Sequence, residues 1–217
     1  MTIKTPTLAL VHGWGFDAGF WDPLRAALPE FPSVTIELGF CGGKAWSGEI
    51  PPGPLVAVGH SLGFLWLLHE KPFPWRAMVS INGFPRFTEG DGFTPAVEPK
   101  TLERMSAGLE RSPEKTVADF MTRCGGDKPP DGLDKERLRR GLEWLRDWDR
   151  RAALESERTP VLALAGRFDP IVPPAMSEAA FKGLANVVLR WHDGGHLLPR
   201  TAPDRCAERI RECLERL

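Results

Sequence analysis

Three side chains far apart in the chain, Ser61, Asp169 and His196, are of the types that together turn a hydroxyl into a nucleophile. Ser61 lies in Gly59-His60-Ser61-Leu62-Gly63, a G-x-S-x-G pattern with apolar sequence on both sides. A serine hydroxyl attacks poorly at neutral pH, so it needs a base, and the base needs a carboxylate to orient it. Asp169 follows an apolar run in "GRFDPIVP", and His196 follows another in "WHDGGHLLPRT". That order, Ser…Asp…His, is the one expected when the serine stands on a strand-to-helix turn. A fourth part is "VHGWG", Val11 to Gly15, whose glycines let backbone pass close to Ser61. The amides of Trp14 and Leu62 are then the expected donors to an oxyanion.

Other residues compete for these roles. Asp193 is the rival acid, and Asp169 is preferred because it follows a strand and has a proline beside it to set the turn. His192 is a rival base, but its place at a strand end favours packing. His60 neighbours the serine, and its side chain is expected to point away from the reaction. His12, before the oxyanion glycine, is expected to brace the loop, and His69 to lie on a helix surface.

The elements that must position these groups alternate between short apolar runs and helical patterns, which implies a mostly parallel sheet with crossover helices. Six strands are expected: 7–13, 33–38, 54–60, 77–83, 160–166 and 186–191. "AGFWDPLRAALP" reads as one helix after the first strand, and the segment 39–53 as irregular. The last amphipathic helix runs through "DRCAERIRECLERL". Between the fourth and fifth strands, residues 85–157 are helical in pattern, with Ser112-Pro113 as an N-cap and first-turn proline and Gly125 as the stop. They are expected to form a cap inserted in a single domain spanning 1–217. Trp144 and Trp148 on that cap could line an acyl pocket, although buried packing is the commoner role.

The 217 residues suffice for one hydrophobic core. With 28 basic and 29 acidic side chains, the overall charge argues against a nucleic-acid binder. No run approaches the roughly 20 apolar residues of a membrane span, and the start of the chain has no signal-peptide pattern. A cytoplasmic setting is expected. Cys206 and Cys213, seven apart on one helix, are separated by about 10 Å, too far for a disulfide. Neither they nor Cys41 and Cys124 have metal-site spacing.

On "HGWG", "GHSLG", "GRFDPIVP" and "GGHLLP", the sequence resembles the α/β-hydrolase family over nearly its whole length. Within that family it is most similar to the esterases of biotin synthesis that act on pimeloyl-[acyl-carrier protein] methyl ester, on "LVHGWGFDAGFW" and "GLEWLRDWDRRAAL". The resemblance implies Ser61 as nucleophile, Asp169 as acid, His196 as base, and Trp14 and Leu62 as oxyanion donors. It implies a serine carboxylesterase working through an acyl-enzyme, without metal or organic cofactor, on a small acyl ester, with an acyl carrier protein as potential partner. A general short-chain esterase or thioesterase, a C–C bond hydrolase and a non-catalytic ligand-binding relative are the alternatives. The sequence departs from the biotin enzymes in three places: its first strand is already the oxyanion strand, "ELGFCGGKAW" replaces the D-x-P-G-x-G-x-S loop, and His60 stands where tryptophan is usual.

Overall fold

The computed structural model describes residues 5–126 and 128–215. Six parallel strands form one sheet: β1 (Thr7–Val11), β2 (Ser33–Ile36), β3 (Leu55–His60), β4 (Ala77–Ile81), β5 (Val161–Gly166) and β6 (Val187–His192). β3, β4 and β5 are buried at every residue, which explains their unbroken apolar runs; they are covered on both faces. β6 is an edge strand, and its burial alternates.

The helices are α1 (Asp22–Ala27), α2 (Leu62–Glu70), α3 (Pro99–Arg111), α4 (Pro113–Cys124), α5 (Lys135–Asp147), α6 (Arg151–Ser156), α7 (Pro174–Phe181), α8 (Leu198–Thr201) and α9 (Pro203–Leu214). The first predicted helix is in fact divided. A 3-10 turn over Ala18–Trp21 precedes α1, because Asp17 caps the turn through its Oδ1 and Pro23 starts a new helix in its wake. Ser112 occupies the N-cap position of α4, but its side chain makes no capping bond; Pro113 and the left-handed Gly125 mark the helix ends. The last helix ends at Leu214, and positions 216–217 of the predicted stretch lie outside the described residues.

The strand order β2-β1-β3-β4-β5-β6 reverses direction between β1 and β3. Chains leaving these two neighbours part to opposite sides and open a crevice at their carboxyl ends. "VHGWG" leaves β1 there, and Ser61 leaves β3. Helices α3 to α6 all fall between β4 and β5. Their root is tied by an Arg86–Asp149 bridge and by Arg150 N–H donating to Pro85 O at 2.8 Å.

Candidate active site

Ser61 holds φ 52° and ψ −123°, a strained conformation for a residue with a Cβ, between the end of β3 and the first turn of α2. Its N–H donates to Ile81 O at 3.1 Å. The tight turn brings the start of α2 onto the end of β1: a Cβ at Gly63 would stand 2.1 Å from Val11 O. The loop after β1 also passes close, since a Cβ at Gly13 would lie 2.9 Å from His60 Nδ1 and 3.1 Å from Ser61 Cβ. The two glycines flanking the serine are thereby explained: Gly63 by Val11 O, and Gly59 by the start of α2, where a Cβ would stand 2.4 Å from Phe64 N.

Around it the site is built from four strand ends. Asp169 and His196 are buried, and His196 Nδ1 and Asp169 Oδ2 are 2.8 Å apart. Asp169 Oδ1 accepts from the amides of Ile171 and Val172 at 2.8 and 2.9 Å, so the carboxylate is held at both oxygens. With Nδ1 donating to the carboxylate, the neutral ring leaves its lone pair on Nε2. That nitrogen is buried and without a hydrogen-bond partner. Ser61 Oγ therefore does not bond it in this geometry. The Trp14 and Leu62 amides donate to no protein acceptor among the described residues, and Leu62 is the first residue of α2, where such orphan donors and a positive dipole end are expected.

The rivals go elsewhere. Asp193 is exposed and pairs with Arg167 at 3.2 Å. His192 ends β6 and bonds neither carboxylate. His12 does brace the loop: it lies 2.8 Å from Glu37 Oε1, whose carboxylate also accepts from Ala18 and Gly39 N–H. His60 makes structural contacts, but its ring does not stand clear of the site: it lies 4.8 Å from that of His196. It is fully buried, stacks on Phe20 at 4.4 Å, and its Nε2 donates to His196 O at 2.9 Å, so it supports the loop that carries His196. Burial, then the neighbouring His196, push its pKa well down, which keeps the ring neutral. His69 is not a bare surface residue either: it stacks on Trp148 at 3.5 Å and accepts from Arg150.

One residue was missed in the sequence. Asn82, just past β4, donates from Nδ2 to Asp169 Oδ2 at 2.6 Å and to Gly195 O at 2.8 Å. Its φ is 50°, a left-handed value that asparagine tolerates. "ING" at a strand's end was the available signal, but it reads equally as an ordinary turn.

From above, Trp14 Nε1 donates to Leu138 O of α5 at 2.8 Å, and Phe120 of α4 meets the Trp14 ring edge-on at 5.0 Å. Arg123 of the same helix donates to Pro170 O, next to Asp169. Ser61 is 5 % exposed and His196 fully covered.

Sheet order, crevice and strand-end groups define the class: the chain has the α/β-hydrolase fold, and its sequence relatives support a hydrolase. A family model, Serine hydrolase (FSH1), matches residues 110–207, a stretch that contains Asp169 and His196 but not Ser61. The particular resemblance is to proteins named pimeloyl-[acyl-carrier protein] methyl ester esterase. That of Methylococcus capsulatus is 29% identical, covering 96% of this chain and 94% of its own. That of Legionella pneumophila is 29% identical, covering 76% and 77%. An esterase from Exiguobacterium antarcticum superposes with a TM-score of 0.82 over 98% of this chain and 92% of its own at 15% identity, a likeness of fold.

No helix among the described residues is long and apolar enough to cross a membrane.

Proposed function

We propose that the protein is a serine carboxylesterase in which Ser61 is the nucleophile, His196 the base and Asp169 its orienting acid. The observation that carries this reading is the His196–Asp169 bond at 2.8 Å beside a buried Nε2 that has no partner. A buried acceptor left bare costs free energy unless a proton donor comes to it. Rotation of the Ser61 side chain about Cα–Cβ supplies that donor; such contacts are often loose before substrate binds. Nε2 takes the hydroxyl proton as Oγ attacks the ester carbonyl, and the Trp14 and Leu62 amides hold the oxyanion. The alcohol departs with the proton returned from Nε2. Water, deprotonated by the same nitrogen, then releases the acid, and Asp169 stabilises the imidazolium in both half-reactions. Neither metal nor cofactor enters these steps.

The four helices between β4 and β5 act as a cap, and with Ser61 covered the cap must shift to admit substrate. The substrate we assign is the methyl ester of a pimeloyl chain carried by acyl carrier protein, supported by the relatives at 29% identity and by the apolar Phe120–Trp14 contact over the oxyanion loop. Such a substrate places the enzyme in the cytoplasm.

Hydrolysis of pimeloyl-[acyl-carrier protein] methyl ester and of short-chain p-nitrophenyl esters, with fluorophosphonate labelling, tests both layers. Ser61→Ala should lose labelling and roughly 10⁶-fold in kcat. Labelling that persists in the variant overturns the nucleophile. Fast turnover of the short esters with none of the carrier-bound ester retains the chemistry and replaces the substrate by short acyl groups.

A further inference from the structure

A cavity of about 400 Å³ opens at the outer edge of the sheet, between the end of β6, the start of the acid loop and α9. Four guanidinium groups line it, those of Arg167, Arg190, Arg205 and Arg209, against the single carboxylate of Asp193. With Glu208 and Glu212 beside the cavity, the four arginines face three carboxylates, and Arg190 is the surplus cation. Three of the arginines rest on exposed carboxylates: Arg167 on Asp193, Arg205 on Glu208 and Arg209 on Glu212. Exposed pairs of this kind contribute little, so the guanidinium groups can turn to another anion at small cost. Arg190 has no carboxylate partner among the described residues; its Nη1 reaches only Leu189 O, at 3.4 Å. Arg167 is kept beside the cavity by stacking over the Trp191 ring at 5.5 Å. His192 also lines the cavity, and its Nδ1 is buried without a partner.

We propose that this cavity is an anion site for the phosphate group, either inorganic phosphate or a small phosphomonoester. Arginine forks match tetrahedral oxyanions in geometry, and several converging on one cavity suit a multivalent anion better than chloride. The volume exceeds that of a bare phosphate and leaves room for a short organic group. The site also stands at the root of both catalytic loops. Arg167 N–H donates to His192 O at 2.8 Å and Phe168 N–H to Gly194 O at 3.0 Å, so the loops leading to Asp169 and His196 are joined there. An anion held between Arg167 on one loop and Arg190 on the neighbouring strand braces that junction.

Thermal unfolding titrated with sodium phosphate and with glycerol 3-phosphate, at ionic strength matched by sodium chloride, tests the proposal. A saturable rise in Tm of about 2–4 °C is expected from a phosphate compound and none from chloride. The compound that produces it distinguishes free phosphate from a phosphomonoester. The Arg190→Ala/Arg205→Ala variant should lose the rise while keeping its esterase activity, since both side chains are exposed and far in function from Ser61. An equal rise with chloride, or one undiminished in the variant, overturns the proposal. Equilibrium dialysis of labelled phosphate and labelled glycerol 3-phosphate against the unaltered protein needs no variant, and a lack of saturable binding by both overturns it as well.

Discussion

Asn82 joins the two loops on which the proposed chemistry depends. One amide nitrogen serves Asp169 Oδ2 and Gly195 O, so the carboxylate and the segment carrying His196 keep their separation through a single side chain. Its role is positioning, because it touches neither the serine nor an ester. A hydrogen bond to a charged group is worth about 1.5–3 kcal/mol, so Asn82→Ala should lower kcat roughly 10- to 100-fold with KM little changed. Asn82→Asp should do more harm, since it sets a second carboxylate against Asp169 where the amide stood at 2.6 Å. Steady-state kinetics of both variants on one ester checks the ranking; equal activities of variant and parent would remove Asn82 from the site.

Two contacts between elements decide whether these side chains meet at all. The start of α2 lies so close to β1 that a methyl group at Gly63 would stand 2.1 Å from Val11 O, and backbone cannot yield there as a side chain can. Gly63→Ala should therefore cost more than about 3 kcal/mol in urea unfolding, or leave the chain insoluble. The second contact closes the root of the helical excursion. Asp149 accepts from Arg151 at 2.6 Å and from Arg86 at 2.7 Å. These partners, Arg151 first, hold its carboxyl well below the usual carboxylate range. A depressed folded pKa means that the unfolded chain takes up the proton first as pH falls. The contribution of Asp149 is thus complete above about pH 5 and is lost progressively below pH 4. Asp149→Asn should cost about 1 kcal/mol at pH 7 and distinctly less, though not nothing, at pH 3, which denaturant midpoints at the two values can compare.

At the scale of the whole molecule, His60 links stability to pH. Burial keeps it neutral in the folded chain, whereas an unfolded histidine binds a proton below about pH 6.5. The unfolded state then carries more protons, so stability should fall as pH drops from about 6.5. His60→Phe should flatten that slope between pH 7 and 5.5 by close to one proton, as urea midpoints across the range would show, whatever it does to the absolute level. This residue also shows where reading the chain alone stops. Strand runs, glycine-flanked serine, Asp169 and His196 were all legible, because a buried parallel strand must be apolar along its length and a tight turn must find glycine, and both requirements are local. The partners of His60, Asn82 and Trp14 were not. His60 reaches the His196 carbonyl 136 positions away, Asn82 reaches Asp169, and Trp14 reaches Leu138. Local periodicity carries no trace of such bonds, since which strand ends become neighbours is settled only when β1 and β3 pair and the chain crosses over between them. The residue types and their order were therefore written in the chain, while their distances, burial and hydrogen-bond partners came from packing the sheet against its helices.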